Sequence, residues 1–291
     1  MVVAKRLIKK KSATSHKKKS SVGLGLSLPT EPHVPTKNLQ DYTWMFIGVK
    51  KIGKTSLAVQ FEGSLLFKFE PGGKSLPCYQ VSVPTWDHFR EYVRLMKVSK
   101  KYKLAVIDTA TIAYDRNLEY VCRKNNIVHP GAVDDYGTSW SKVRTEFEAV
   151  HGQIFSQDMG LIVITHLREV TAQTRGGNKF SKSVPALSSQ ADEFYAGVID
   201  NIIYYERDEF GKPWMTIRAY DDYIVAGTRC TENFFTPNGK PIYRIPAGKS
   251  AKEAYRNLVR AFNNQQLRTY LPGEEETDDT KVKRKKFRKN T

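Results

Sequence analysis

The sequence predicts an α/β protein with a mainly parallel sheet that is flanked by helices. Short apolar runs alternate with longer segments of helical periodicity, as in chains built from βαβ units. Central runs such as residues 160–166 are apolar almost throughout, as strands buried on both faces should be. Hydrophobic residues make up 40% of the 291, which is enough for a core and excludes a wholly disordered chain.

The apolar runs give the order of the predicted elements. Helical segments separate the first four strands: one begins at residue 54, and apolar stripes follow at 89–96 and 140–154. The last two strands, joined through residues 208–213, are typical of a hairpin and should add antiparallel strands at one edge. The predicted strands are 42–48, 64–70, 102–108, 160–166, 198–206 and 214–220.

Both ends of the chain are predicted to be disordered basic segments. Residues 1–41 are rich in lysine and serine, then in glycine and proline, and residues 272–291 carry acids followed by bases. The folded core is therefore predicted over 42–271. Of the net charge of +17, residues 1–20 contribute eight positive charges and residues 281–291 seven. Such tails favour a polyanionic partner, because neutralised phosphates release counterions; a solubilising arm or a nuclear signal is the alternative.

Several protein classes are excluded by simple features. The apolar runs fall far short of the roughly 20 residues that cross a bilayer, so no membrane partner is expected. The first 20 residues lack the apolar stretch of a secretory signal. The cysteines Cys78, Cys122 and Cys230 form no CxxC pair and no zinc-ligand spacing, which excludes a disulfide scaffold and a zinc finger and fits a reducing compartment.

A phosphate-binding loop is the most specific motif. Residues 48–55, Gly-Val-Lys-Lys-Ile-Gly-Lys-Thr, match GxxxxGK[ST] between a predicted strand and a predicted helix. In such a loop, backbone N–H groups surround the phosphates, the lysine reaches the β- and γ-phosphates and the threonine hydroxyl binds Mg²⁺. The alternative is a turn whose glycines only redirect the chain. The candidate ATP-binding residues are Gly48, Val49, Lys50, Lys51, Ile52, Gly53, Lys54, Thr55 and Ser56, and Lys54 is also a candidate catalytic residue.

Two carboxylates at predicted strand ends are the candidate metal ligand and catalytic base. Asp108 ends an apolar strand in the Walker B pattern and should hold Mg²⁺ together with Thr55. The next residue is Thr109, not the glutamate with which many P-loop ATPases activate water. Glu70, at the end of the second strand, is therefore the candidate base, since carboxyl ends of parallel strands face the ligand crevice. A turn-forming Asp and a solvated Glu are the alternatives.

The fourth predicted strand ends at His166, a candidate sensor of the γ-phosphate. In this class of sheet the fourth strand lies beside the P-loop strand, so a side chain at its tip can approach the phosphates. A packing role for the imidazole agrees equally well with the sequence.

Together, these features resemble the RecA-like branch of P-loop ATPases, which carries its catalytic glutamate on the second strand. More narrowly, residues 42–230 resemble phage nucleotide-binding AAA-type ATPases related to RecA-type single-strand annealing proteins, above all in 44–58 and 184–229. The resemblance implies a RecA-like core, ATP and Mg²⁺, a homo-oligomer, and single-stranded DNA and a single-strand-binding protein as partners. It implies a cytoplasmic location, that of the host if the protein is phage-encoded. Against full-length RecA, obvious terminal domains are not expected from this sequence, so filament formation and strand exchange stay open.

The resemblance also implies a mobile DNA-contacting loop after the fourth strand, here residues 168–183. Phe180 in this loop could stack on a base. Arg229 could reach the ATP of a neighbouring subunit, although an ordinary strand-end arginine is the simpler interpretation. A solvated surface loop is the alternative for 168–183. The candidate DNA-binding residues are Arg168, Arg175, Lys179 and Lys182.

The leading hypothesis is an ATP-binding, ATP-hydrolysing RecA-like protein that acts on single-stranded DNA in recombination or strand annealing. One alternative is a P-loop nucleotide or small-molecule kinase, although the sequence shows no compact Arg-rich lid. Another is a non-catalytic accessory protein that binds nucleic acid in a nucleotide-dependent way.

Overall fold

The computed structural model describes residues 28–99 and 101–267, whose strands form a nine-stranded sheet and a separate two-stranded sheet. The strands are β1 (Thr43–Gly48), β2 (Ser64–Lys68), β3 (Gln80–Ser82), β4 (Leu104–Asp108), β5 (Gly160–Thr165), β6 (Leu167–Gln173), β7 (Lys179–Pro185), β8 (Asn201–Arg207), β9 (Pro213–Thr216), β10 (Gly227–Thr228) and β11 (Arg244–Pro246). The α-helices are α1 (Lys54–Ala58), α2 (Trp86–Val98), α3 (Ala110–Lys124), α4 (Thr138–Phe155), α5 (Ser189–Val198) and α6 (Ala251–Phe262).

The large sheet is mainly parallel, which confirms the predicted α/β class. Strands β3, β2, β4, β5, β1 and β8 lie side by side in that order and run parallel. Antiparallel pairing is found beyond them, where β9 and β10 pair with β8, and β11 pairs with β9. The predicted hairpin of the last two runs is present, but its first strand, β8, is parallel to β1. Helix α5, which precedes β8, supplies the crossover connection that allows β8 to run parallel to β1.

The order of strands brings the ends of four of them to one edge. Strand β5 lies between β1 and β4, so the P-loop strand neighbours the fourth predicted strand, as expected. At this edge Ile47 pairs with Thr165, and Asp108 pairs with Ile164 on one side and Lys68 on the other. The segments that follow β1, β2, β4 and β5 therefore start close together.

Apolar side chains cover both faces of the sheet. Along β1, Met45 and Ile47 pack into one cluster and Trp44 and Phe46 into the other, because successive side chains of a strand point to opposite faces. The first cluster packs α2, α3, α4 and α5 against the sheet, and the second packs α1 and α6. This burial on both sides explains why the central strands are apolar throughout.

Residues 168–183, predicted as a mobile loop, form a β-hairpin instead. Strands β6 and β7 pair from Leu167 opposite Pro185 to Gln173 opposite Lys179, and Gly177 in the turn has a φ of 89°. Along β6, exposed and partly buried residues alternate only from Glu169 to Gln173, because Arg168 and Glu169 are both exposed.

The structure describes the residues around the predicted N-terminal limit of the folded core, residue 42. The predicted C-terminal limit, residue 271, lies outside the described residues and stays a prediction. The described residues from Thr36 onward belong to one compact unit. In that unit a 3-10 helix, Leu39–Asp41, precedes β1, and the carbonyl of its buried Leu39 accepts a hydrogen bond from the Trp44 indole at 2.9 Å. Residues 1–27 and 268–291, with the predicted basic tails, lie outside the described residues. Among the described helices, none is long and apolar enough to cross a bilayer.

His151 is a fully buried residue of α4 whose surroundings keep it neutral. The carbonyl of Phe147 can only accept, so Nδ1 donates to it at 2.8 Å, and Nε2 accepts from the Tyr195 hydroxyl at 2.9 Å. Burial lowers the pKa of His151 from 6.5 to about 4. The unfolded chain therefore takes up the proton first as the pH falls. The contribution of neutral His151 to the stability of the folded state is therefore complete above pH 6.5 and is lost as the pH falls towards 4.

We expect the free energy of unfolding to fall by about 2 kcal/mol between pH 7 and pH 5 because the unfolded chain binds a proton at His151. Urea denaturation at the two pH values measures the change. His151→Gln should show a smaller drop than the wild type, whereas His88→Gln, at an exposed position of α2, should show the same drop. An equal drop in the wild type and His151→Gln would contradict the assignment.

Candidate active site

The phosphate-binding motif lies between β1 and α1, as predicted, and its glycines are required by the backbone. Gly53 has a φ of 114°, a left-handed conformation that side chains disfavour. Gly48 lies so close to β8 that a Cβ there would be 2.4 Å from the carbonyl oxygen of Tyr205. Helix α1 starts at Lys54, directly after this turn. The loop therefore has the tight strand–turn–helix form that can place backbone N–H groups around a phosphate.

Lys54 lies at the base of this loop and is only 4% exposed. Its ammonium donates to the carbonyl oxygens of Gly48 at 2.6 Å and Val49 at 2.8 Å, and lies 3.4 Å from Nδ1 of His166. Burial lowers the pKa of Lys54 to about 8, and two nearby carboxylates oppose part of this effect. At neutral pH the side chain is therefore mostly a cation, as phosphate binding requires.

Thr55 and Asp108 form the candidate metal site. The Thr55 hydroxyl donates to Oδ2 of Asp108 at 2.8 Å. Burial raises the pKa of Asp108, and this hydrogen bond opposes the shift. A hydroxyl and a carboxylate are the hard oxygen ligands that Mg²⁺ prefers. Within the described residues no three His, Cys, Asp or Glu side chains gather into a metal site, so a cation here would need phosphate and water as its further ligands.

Glu70 lies beside this pair, at the edge of the sheet just beyond β2. Thr109, joined to Asp108 by a cis peptide bond, donates its hydroxyl to Oε1 of Glu70 at 2.6 Å. The Glu70 side chain is 39% exposed, so water can reach it. The predicted catalytic base therefore lies next to the predicted metal ligand, although the two residues are far apart in sequence.

His166 lies between the lysine and the glutamate. Its Nδ1 faces the Lys54 ammonium at 3.4 Å and its Nε2 faces Oε1 of Glu70 at 4.0 Å. Burial, followed by the charge of Lys54, lowers the pKa of the ring, which is therefore neutral at pH 7. Because an ammonium can only donate, Nδ1 accepts in this contact when the ring carries its proton on Nε2. The imidazole thus lies within 4.0 Å of both the loop lysine and the candidate base.

A model of one known family matches more than half of the chain. Residues 40–238 match a family described as AAA domain. The chain belongs to this AAA domain family. Among solved structures, one similar protein is a KaiC-like protein from the hyperthermophilic archaeon Pyrococcus horikoshii. The aligned region covers 71% of this chain and 85% of the archaeal chain, with 14% sequence identity and a TM-score of 0.39. A search of curated proteins finds no match.

The family confirms the broad interpretation of the motif. The AAA domain is a P-loop ATPase domain, and its loop is a nucleotide-binding site; such families generally use ATP and Mg²⁺. The narrower resemblance to phage RecA-related proteins stays a prediction.

The remaining candidate residues of the AAA domain's loop occupy different environments. Val49, Lys50 and Lys51 are exposed on the outside of the loop, so their backbone N–H groups, not their side chains, are the expected phosphate contacts. Ile52 is buried under the loop and Ser56 is half-buried in α1. Sequence reasoning missed Thr109 as a partner of the candidate base.

The four predicted DNA-binding residues of the AAA domain do not form a single row. In the hairpin, Arg168 and Lys182 lie on one face and Lys179 on the opposite face, because cross-strand partners share a face and neighbours alternate. Arg175 lies in the turn. Arg168, Arg175 and Lys179 are exposed, and Arg168 also donates to the carbonyl of Pro185 at 3.3 Å.

Two further residues singled out for nucleic-acid or subunit contacts have partners within the chain. The ring of Phe180 packs edge-on against Tyr223, with the centroids 5.4 Å apart. Arg229 donates to the carbonyls of Gly197 at 2.9 Å and Ala196 at 2.8 Å, at the C-terminal end of α5. The contacts of Arg229 favour the local interpretation, a cation at a helix C-terminus.

Proposed function

We propose that the chain binds ATP with Mg²⁺ and hydrolyses it, and that single-stranded DNA stimulates the hydrolysis. The observation that carries the proposal is the meeting of Lys54, the Thr55–Asp108 pair and Glu70 at one edge of the sheet. Lys54 would bind the β- and γ-phosphates as a buried cation. Thr55 and Asp108 would hold Mg²⁺, which when bound neutralises phosphate charge.

Glu70 is proposed as the group that orients and deprotonates the attacking water. Its Oε1 accepts a hydrogen bond from Thr109, whereas the side chain as a whole keeps 39% of its surface open to solvent. A carboxylate held in this way can accept a proton from water beside the γ-phosphate. His166 would sense that phosphate from the tip of β5, between Lys54 and Glu70.

The DNA part of the proposal is supported by the position of the hairpin. Strand β6 starts at Leu167, directly after His166, so a change at the phosphate site can be transmitted to the hairpin through one peptide bond. Arg175 and Lys179 are exposed at its far end and can contact phosphates. We extend the proposal to recombination or strand annealing in the cytoplasm by a homo-oligomer, together with a single-strand-binding protein.

The test is phosphate release by the full chain with and without a mixed-sequence single-stranded oligonucleotide. We expect DNA to raise the rate of the wild type. Arg175→Ala/Lys179→Ala should reduce this stimulation and leave the basal rate intact. A matched control, Lys252→Ala/Arg256→Ala at exposed positions of α6, should keep the stimulation. Full stimulation in the hairpin variant would exclude the hairpin from the coupling.

The terminal segments should act separately from the hairpin. Deleting residues 1–20 and 281–291 removes fifteen basic side chains and should weaken DNA binding. The slope of log K against log salt should become shallower by about 0.7 for each lost phosphate contact. An unchanged slope would contradict this role of the terminal segments.

Two other results would favour the alternative functions. Binding of ATP without turnover would favour the non-catalytic accessory protein, and phosphoryl transfer from ATP to a small acceptor would favour the kinase.

A further inference from the structure

Thr109 is the N-cap residue of α3, yet its side chain does not cap the helix. At the equivalent position of α2, α5 and α6, the hydroxyls of Thr85, Ser188 and Ser250 each accept a hydrogen bond from a backbone N–H of the first turn. Such capping is the usual reason for a serine or threonine at this position. In the described structure Thr109 accepts no such bond, and its hydroxyl donates to Glu70 at 2.6 Å instead.

The two partners differ in how firmly the chain holds them. Thr109 is 1% exposed and joins β4, in the middle of the sheet, to the 15-residue helix α3. Its branched side chain has few rotamers in such a position. Glu70 lies in an irregular segment that continues into Gly72 and Gly73, both of which have positive φ. The hydrogen bond therefore fixes the carboxylate of an irregular segment to a rigid part of the sheet.

The contact also distinguishes the two oxygens of the Glu70 carboxylate. Oε1 accepts from Thr109 and is the oxygen that faces Nε2 of His166 at 4.0 Å. Both polar neighbours thus approach the same oxygen. Among the described residues no hydrogen bond to Oε2 is found, and because the side chain as a whole is 39% exposed, this oxygen can accept one from water.

We propose that Thr109 is a positioning residue for hydrolysis: its hydroxyl fixes the Glu70 carboxylate so that Oε2 orients the attacking water. The proposal rests on the proposed ATP hydrolysis through Glu70. It assigns to Thr109 no contact with the nucleotide. Its removal should therefore slow turnover and leave ATP binding unchanged.

The test compares Thr109→Val, which keeps the shape and loses the hydroxyl, with Thr109→Ser, which keeps the hydroxyl. Thr109→Val should lower kcat by about ten- to a hundredfold, the effect of misplacing a catalytic group, with KM and the ATP dissociation constant unchanged. Thr109→Ser should retain nearly the wild-type kcat. Thr109→Ala serves as a second hydroxyl-free variant should Thr109→Val fold poorly, and the thermal unfolding midpoint is measured for all three.

A double-variant cycle separates positioning from a structural role. Adding Thr109→Val to Glu70→Gln should cause no further loss of kcat, because orientation is irrelevant once the base is absent. Wild-type kcat in Thr109→Val and Thr109→Ala, or losses that multiply in the double variant, would overturn the proposal. If Glu70→Gln alone is impaired and the Thr109 variants are not, only the role of Thr109 fails. If Glu70→Gln keeps the wild-type rate, the proposed hydrolysis through Glu70 fails, and the role of Thr109 with it.

Discussion

Replacing Lys54 by alanine is expected to abolish ATP turnover and to weaken ATP binding roughly a hundredfold or more, as when a buried charged partner is removed. The ammonium lies at the base of the phosphate loop and is held by the carbonyls of Gly48 and Val49. Alanine leaves the loop without this cation. Equilibrium titration with a fluorescent ATP analogue measures the binding, and a phosphate-release assay measures the turnover.

The fold of the Lys54→Ala variant should survive, because burial disfavours the charged form of this side chain and lowers its pKa. Urea denaturation checks this point. Lys252→Ala, which removes the same charge from an exposed position of α6, is the matched control and should bind ATP like the wild type. Unchanged ATP affinity and turnover in Lys54→Ala would exclude the P-loop interpretation.

Replacing Glu70 by glutamine is expected to slow ATP hydrolysis by 10²–10⁴-fold, the usual contribution of a positioned base, with ATP affinity nearly unchanged. Glutamine keeps the shape and an oxygen that can accept from the Thr109 hydroxyl, but it cannot take a proton from water. The decrease in the hydrolysis rate therefore measures the contribution of a basic group at residue 70 and not that of its position. Single-turnover phosphate release from pre-bound ATP measures it.

Glu62→Gln provides the control for this variant, since it makes the same change at an exposed residue that precedes β2. Its rate should equal that of the wild type. If Glu70→Gln also kept the wild-type rate, the catalytic base would have to lie elsewhere in the site.

The sheet and the site could be predicted from the sequence where the signals are local. The apolar runs identify β1, β2, β4 and β5 because these strands are buried on both faces. The phosphate loop is a contiguous motif. Placing Glu70 and Asp108 at one edge followed from a rule of parallel sheets, and the pairing of β2 with β4 satisfies that rule.

Other elements were missed because their signals are weak or depend on distant partners. Helix α3 was not predicted, since its buried side includes small residues and the polar Asn117, whose amide donates to the carbonyl of Val143 at 2.9 Å. The hairpin of β6 and β7 has a mixed polar sequence that is equally typical of a loop. The Thr109–Glu70 hydrogen bond joins two segments that meet only through the sheet, so no local pattern could indicate it.

The most direct test of the central claim, that this chain is an ATPase, is the rate of phosphate release by the purified full chain with ATP and Mg²⁺. The rate is measured against an identical preparation of Lys54→Ala, which corrects for contaminating activity. We predict release by the wild type well above that background, and more in the presence of single-stranded DNA. A wild-type rate equal to the Lys54→Ala background, with DNA present and absent, would contradict the account.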